Sequence, residues 1–186
     1  WRRITLTPAG RFDWFSEARP MPDSSTFRAS SRTINPRVSL EWSFRRWLGF
    51  GAGIGSSFRT PTFNELYWPE DGWTGGNPRL RPEQSTGAEL SVGGRYAGFL
   101  NYRVHGFATR TIDLISWQPD SVGCYRPTNL DTATTTGAEM ESDMTFRHVS
   151  VRANATYTVP RSRGLDLVYR PRMAFAVEHW ARLGWV

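Results

Sequence analysis

The sequence predicts an all-β chain, an antiparallel up-and-down transmembrane β-barrel or part of one, and three observations support this fold class. Apolar and polar residues alternate with period two through most of the 186 residues, as they do in strands with two different faces. Along the chain, long connections between these segments alternate with short ones. Aromatic residues, 14% of the chain, collect near the strand ends, where membrane barrels place their interfacial girdles.

Eight segments carry the strand pattern. After a first strand near the N-terminus, the second places Val38, Leu40 and Trp42 on one face and Ser39 and Glu41 on the other. The third alternates apolar residues with four glycines. The fourth to seventh alternate apolar residues with charged or small polar ones, and the eighth alternates more loosely. We place the strands at residues 3–14, 34–44, 48–58, 84–94, 99–116, 130–146, 149–159 and 167–182.

The connections between these strands fall into two classes by length. If successive strands are neighbours, all long loops lie at one end of the sheet and all tight turns at the other. Outer-membrane barrels are built this way, whereas the Greek-key crossovers of a soluble sandwich would mix the two ends. The long connections are Phe15–Thr33, Arg59–Glu83, Trp117–Asn129 and Pro160–Asp166, and the short ones are Arg45–Trp47, Arg95–Gly98 and Arg147–His148.

The richest interruption is the long loop Arg59–Glu83. Thr62 is a candidate N-cap and Glu65 follows three residues later, so the pair predicts a capping box and a helical turn after Pro61. The Gly-Gly pair further along predicts turns. Because long loops on a rigid scaffold tend to carry binding residues, we expect the binding function of this chain to lie here.

The composition limits the chemistry that this chain can perform. All 23 basic residues are arginine and the net charge is +6, but the arginines are scattered, so nucleic acid is not an expected partner. The three histidines match no metal-ligand spacing. The single cysteine, Cys124, excludes an intrachain disulfide and its role is open. Glu70 and Asp71 are interpreted as solvated turn residues rather than calcium ligands. We expect no enzyme activity, cofactor or metal.

Around the long loop the sequence resembles a known family. An aromatic–Arg–x–Pro segment is followed by Asn–Glu–Leu–Tyr, then by Gly–Asn–Pro–x–Leu–Arg–Pro–Glu, and then by Ser and Glu on the next strand. This order resembles the late barrel region of TonB-dependent outer-membrane receptors, especially the cobalamin-receptor-like and related siderophore-receptor subgroup. The matching residues are Phe58, Arg59, Pro61, Asn64, Glu65, Leu66, Tyr67, Gly76, Asn77, Pro78, Leu80, Arg81, Pro82, Glu83, Ser85 and Glu89.

This resemblance covers nearly the whole chain, best from Asn35 to Tyr157. It implies a barrel of about 22 strands plugged by an N-terminal domain, in the outer membrane of a Gram-negative bacterium. It also implies import of a scarce, bulky ligand, a corrinoid or a ferric siderophore, with energy transduced by TonB. Residues 1–186 are expected to be a partial barrel domain of about eight strands, an internal piece without the plug. Its implied partners are outer-membrane lipid, the ligand and, through the absent plug, the TonB complex.

Two sets of residues are candidates for the site. Flat rings can stack on a corrin or a catecholate at low entropic cost, so ligand contacts are expected at Tyr67, Trp68, Trp73, Trp117 and Tyr125. The family-motif residues are expected to fix the loop base by ion pairs and capping, a role favoured over contact with ligand or plug. They are Arg59, Pro61, Asn64, Glu65, Asn77, Pro78, Arg81, Pro82, Glu83 and Glu89.

Two other function classes share part of this pattern. A passive porin or an adhesin-type barrel would show the same alternation and the same loop asymmetry, but we do not expect it to carry the Arg59–Glu83 motif. A soluble β-sandwich that binds carbohydrate through Trp68 and Trp73 would also alternate. Such a sandwich would partition into buffer rather than detergent.

Overall fold

The chain forms one antiparallel sheet. The computed structural model describes residues 3–21, 23–163 and 172–181. In them, eight strands are hydrogen-bonded to their neighbours in chain order, from β1 to β8. This up-and-down order confirms the predicted all-β fold class. Within the described ranges, no helix is long and apolar enough to cross a membrane.

The strands differ in length, and one short helix interrupts them. The longest are the central pair β5 and β6, with 20 and 22 residues. Their bounds are β1 Arg3–Pro20, β2 Thr26–Arg45, β3 Leu48–Arg59, α1 Phe63–Tyr67, β4 Glu83–Tyr96, β5 Leu100–Pro119, β6 Tyr125–Phe146, β7 Val149–Arg163 and β8 Arg172–Ala181.

One face of the sheet is apolar and exposed. Leu40 of β2 lies opposite Ala52 of β3, which lies opposite Leu90 of β4, and the same face continues through neighbouring positions. Leu90 is 68% exposed and Phe175 on β8 is 81% exposed. A continuous apolar face of this extent is unfavourable in water, so it requires an apolar environment such as lipid.

The other face is polar, and a glycine shapes it. Arg37 of β2 donates a hydrogen bond of 2.7 Å to Glu89 of β4, although β3 lies between them. The pair can form because Gly53 stands at the crossing point, where a Cβ would lie 2.6 Å from Oε1 of Glu89. His105 on β5 lies 3.5 Å from Glu89 and 3.7 Å from Glu139, so a line of polar side chains extends from β2 to β6.

The short turns lie where the sequence predicts them. They join β2 to β3, β4 to β5 and β6 to β7. Gly98 and two other residues adopt positive φ, 47° at Ala97 and 49° at Arg147. Left-handed backbone of this kind closes tight hairpins.

Two of the predicted long loops are wrong in extent. β1 continues to Pro20 and β2 begins at Thr26, so most of the predicted Phe15–Thr33 loop is a paired hairpin. The predicted Trp117–Asn129 loop is likewise strand except for a turn at residues 120–124. The reason is physical: beyond an apolar membrane band no face has to be apolar, so the hydropathy pattern ends while the backbone ladder continues.

The last predicted connection is only partly described. β7 extends into it as far as Arg163, and the remainder of the Pro160–Asp166 loop lies outside the described residues. So do the ends of the predicted strand at 167–182, of which β8 covers Arg172–Ala181. The loop between β3 and β4, in contrast, is long as predicted, and residues 60–82 are here called the strap.

Candidate functional site

The strap begins with the predicted capping box. The Thr62 hydroxyl accepts a hydrogen bond of 3.3 Å from the Glu65 backbone N–H, and the Glu65 carboxylate accepts one of 2.7 Å from the Thr62 N–H. These bonds satisfy two donors at the start of α1 that have no partner within the helix. Pro61 is buried just before the cap. The helix end is therefore fixed locally.

Arg59, the last residue of β3, lies between two carboxylates. Its Nε and Nη2 donate to Glu83 at 2.9 and 2.5 Å, and its Nη1 donates to Glu65 at 3.0 Å. Glu83, at the start of β4, also accepts a buried hydrogen bond of 2.8 Å from the Ile115 backbone N–H. One guanidinium thus ties β3, the strap helix and β4 together with bidentate geometry that a lysine could not reproduce.

The Glu65 carboxyl is strongly affected by these neighbours. Partial burial acts to raise its pKa, but the hydrogen bonds from Arg59 and Thr62 outweigh burial and hold the pKa below its ordinary value of 4.5. A depressed pKa means that the folded strap favours the ionised carboxylate.

Acid is therefore expected to loosen the strap. Because the folded pKa is depressed, the contribution of Glu65 is complete above its unfolded pKa and is lost as pH falls through the folded pKa. Amide hydrogen exchange in residues 60–82, corrected for intrinsic rates, should accelerate below about pH 4.5. A Glu65→Gln variant should exchange faster already at pH 7 and show a weaker pH dependence. Equal pH profiles for the two proteins would contradict this role.

The second half of the strap closes back on the helix. The Asn77 N–H donates to the Glu65 carbonyl at 2.8 Å, and the Gly76 N–H donates to the Trp68 carbonyl at 3.0 Å. A Cβ on Gly76 would lie 2.6 Å from both the Leu66 oxygen and the Trp68 nitrogen, so this approach requires glycine. The Asn77 side chain also donates to the Pro127 carbonyl at 3.0 Å, which joins the strap to β6.

The return to β4 is held by two residues that the sequence analysis missed. Asn129 on β6 accepts from the Arg81 N–H at 2.9 Å and donates to the Arg81 carbonyl at 2.9 Å. Its amide also donates to the Asp113 carbonyl at 2.8 Å, and the Asp113 carboxylate pairs with the Arg81 guanidinium at 2.5 Å. Asp113 adopts a left-handed backbone conformation within β5, with φ 55°. No local sequence pattern predicts a positive φ at this position.

A small apolar core lies beneath the strap. Leu66, Leu80 and Ile115 are buried together, and Tyr67 packs against them. The Tyr67 ring also contacts Phe63, with 5.1 Å between the ring centroids. Burial of these side chains stabilises the strap against the sheet, which gives Tyr67 a packing role.

The strap also pairs with the β5–β6 turn. The Tyr125 N–H donates to the Trp73 carbonyl at 2.7 Å, and the Gly75 N–H donates to the Tyr125 carbonyl at 3.1 Å. Arg126 forms an ion pair with Glu70. The two connections thus form one joined surface at the end of the sheet opposite the short turns.

The neighbouring acid has a turn-forming role. Asp71 accepts hydrogen bonds from the backbone N–H groups of Thr74 and Trp73 at 2.7 and 2.9 Å. These two bonds lower the pKa of the Asp71 carboxyl. Among the described residues, no group of three His, Cys, Asp or Glu side chains is arranged to hold a metal ion.

The predicted aromatic contacts are brought together unequally. Trp73 is 79% exposed, and Tyr125, joined to it through the backbone, is half exposed. Trp68 and Trp117 contact each other edge to face, 6.3 Å apart. Phe63 is also exposed and was not among the predicted residues. We call Trp68, Trp73, Trp117 and Tyr125 the aromatic platform.

The other motif residues lie in different surroundings. Asn64 is exposed, and its carbonyl accepts from the Trp68 N–H at 3.0 Å. Pro78 is buried and Pro82 is partly buried. Glu89 lies away from the strap, on the polar face, where it contacts Arg37 and His105. The motif residues therefore lie in the strap or at its ends, except Glu89, which lies apart on the polar face.

Sequence comparison identifies relatives of this chain. The family described as TonB dependent receptor-like, beta-barrel, matches residues 1–185. Vitamin B12 transporter BtuB of Vibrio vulnificus is 32% identical over 133 residues, 70% of this chain and 21% of that protein. The protein of the same name from Photobacterium profundum is 27% identical over 180 residues, 90% of this chain and 28% of that one. The chain thus spans about a quarter of these curated relatives.

Solved structures show the same fold. The copper transporter OprC superposes with a TM-score of 0.75 at 16% identity, over 97% of this chain and 30% of that chain. The siderophore receptor PirA from Pseudomonas aeruginosa superposes with a TM-score of 0.66 at 18% identity, over 86% of this chain and 29% of that one.

Proposed function

The chain belongs to the family of TonB-dependent receptor β-barrels, and we propose that the protein containing it binds a scarce, bulky ligand and imports it with energy transduced by TonB. Members of this family are outer-membrane proteins of Gram-negative bacteria and are not enzymes. We propose a corrinoid as the ligand, because both curated relatives are named as vitamin B12 transporters. A ferric siderophore is the second candidate, as in the name of one structural neighbour.

The observation that carries this proposal is the anchored strap. The Arg59 guanidinium, held between Glu65 and Glu83, makes the start of the strap rigid, and Asn129 fixes its return at Arg81. A rigid support lowers the conformational entropy lost when a ligand binds. The strap network is accordingly assigned to fixing the loop base rather than to touching the ligand.

The aromatic platform supplies the proposed ligand contacts. Its rings offer flat apolar surface with polar edges, which suits a corrin macrocycle or a catecholate. Trp73 and Tyr125 are the most accessible of its members. Glu89, on the polar face, is assigned to the surface that meets the plug domain. Family membership argues against the porin and sandwich alternatives.

Ligand binding by the complete receptor tests the proposal. Purified receptor in detergent should bind cyanocobalamin more tightly than a ferric catecholate, and cells should accumulate cyanocobalamin only when TonB is present. Binding of neither compound, or accumulation that is equal without TonB, would contradict the proposed function. Preference for the ferric catecholate would transfer it to the second candidate.

Removal of the exposed tryptophans should weaken binding. Each of Trp73→Ala and Trp68→Ala is expected to lower the affinity for cyanocobalamin by about three- to tenfold, as for loss of one aromatic stacking contact. Trp47→Ala, at a short turn on the opposite end of the sheet, is the matched control and should bind normally. Titration of the purified receptors measures the affinities. Unchanged affinity in both platform variants would remove these residues from the site.

A further inference from the structure

One buried arginine outside the motif joins the first hairpin to the strap. Arg19, near the end of β1, has a side chain only 1% exposed. Its Nη1 donates hydrogen bonds to the backbone carbonyls of Pro78 at 3.0 Å and Leu80 at 2.9 Å. Its guanidinium also pairs with Glu17 at 2.5 Å. The β1–β2 hairpin is therefore hydrogen-bonded to a segment of the strap about 60 residues further along the chain.

Such burial needs a reason. A buried guanidinium is costly unless its charge is paired and its donors are satisfied. Here Glu17 provides the charge, and the strap provides two carbonyl groups, one of them on Leu80, itself in the core under the strap. Removing the guanidinium would leave two buried carbonyl groups without their donor. Unsatisfied buried polar groups destabilise the fold, so the loss of this contact should weaken the attachment of the strap.

The strand pairing leaves the end of the β1–β2 hairpin free to contact the strap. β2 pairs with β3 only from Arg37 to Arg45, so the hairpin beyond Arg37 is not held in the β3 ladder. It instead continues as a two-stranded ribbon, which Arg19 joins to the strap. Arg19 bonds the strap at Pro78 and Leu80. These residues lie between Gly76, which closes on α1, and Arg81, which Asn129 holds. Arg19 therefore holds the strap at a point between the two ends that Arg59 and Asn129 fix.

We propose that Arg19 is a positioning residue for the aromatic platform: through Pro78 and Leu80 it holds the strap in the conformation that presents Trp73 and Trp68 to the ligand. This inference rests on the proposed function. It predicts that the β1–β2 hairpin affects ligand affinity without touching the ligand, because the hairpin determines how well ordered the strap is before binding.

The test uses the complete receptor with Arg19→Met, Arg19→Lys and the control Arg28→Met. Arg28 is an exposed arginine on the other strand of the same hairpin. In Arg19→Met, amide exchange in residues 74–82 should be at least about tenfold faster and cyanocobalamin affinity about tenfold lower, as for lost hydrogen bonds from a charged donor. The melting temperature should stay within a few degrees, since the strand ladder is intact. Arg19→Lys should lie between, and Arg28→Met should match wild type.

Exchange and affinity test separate parts of the proposal. Unchanged exchange in residues 74–82 of Arg19→Met would show that Arg19 does not hold the strap, and faster exchange with unchanged affinity would show that it does not position the platform. If Arg19→Met does not fold, the same comparison is made with Arg19→Lys, which keeps the charge. If wild type binds no cyanocobalamin, the corrinoid function fails, and the exchange rates alone decide whether Arg19 holds the strap.

Discussion

Arg59→Ala will release the strap from the sheet and lower ligand affinity of the complete receptor by at least about thirtyfold, the equivalent of roughly 2 kcal/mol. The substitution leaves two carboxylates without their shared cation, and their side chains are only 13% exposed at Glu65 and 11% at Glu83. Breaking a buried ion pair costs about 3–5 kcal/mol. We reduce this figure because the Arg59 side chain is 41% exposed and partly screened.

Amide hydrogen exchange and ligand titration measure the effect. In Arg59→Ala, residues 60–82 should exchange much faster while β5 and β6 remain protected, because their ladder does not involve Arg59. Arg59→Lys should recover only part of the protection, since a single ammonium cannot bond both carboxylates bidentately. Arg79→Ala, at an exposed arginine of the same strap, is the control. A strap as well protected in Arg59→Ala as in wild type would refute the assignment.

Gly76→Ala should have the second-largest effect. The added methyl group would lie 2.6 Å from backbone atoms of Leu66 and Trp68, and backbone cannot rotate away as a side chain can. The strap would have to separate from α1 and lose the hydrogen bond from Gly76 to the Trp68 carbonyl. Overpacking of this kind costs about 1–3 kcal/mol. We therefore expect roughly five- to hundredfold weaker ligand binding.

The comparison with another glycine isolates the steric cause. Gly10→Ala on β1 makes the same chemical change where no atom lies within 4 Å of the new Cβ, so its affinity and exchange should match wild type. Tryptophan fluorescence of the unliganded receptor provides a further readout, because Trp68 is adjacent to the closure. Normal affinity and an unchanged spectrum in Gly76→Ala would show that the strap accommodates a side chain there.

Short-range patterns predicted a large part of this protein. The period-two alternation located the eight strands, and the sorting of their connections by length predicted the up-and-down order that the sheet has. The spacing of Thr62 and Glu65 predicted the capping box that α1 contains. The family resemblance, rather than a short-range pattern, favoured ion pairs at the loop base, where Arg59 pairs with Glu65 and Glu83. The strands and the capping box follow from the sequence because residues close together in the chain carry the whole pattern.

Strand length and the long-range anchors were decided only by the tertiary structure. The hydropathy pattern of β1 stops near Trp14, yet backbone pairing continues to Pro20, because hydrogen-bonding of a ladder does not depend on side-chain polarity. Arg19 and Asn129 bind strap carbonyls or amides 48 to 61 residues away. No local pattern marks these residues, since a backbone carbonyl offers the same acceptor whatever its side chain. Their roles exist only once the strap has folded onto the sheet.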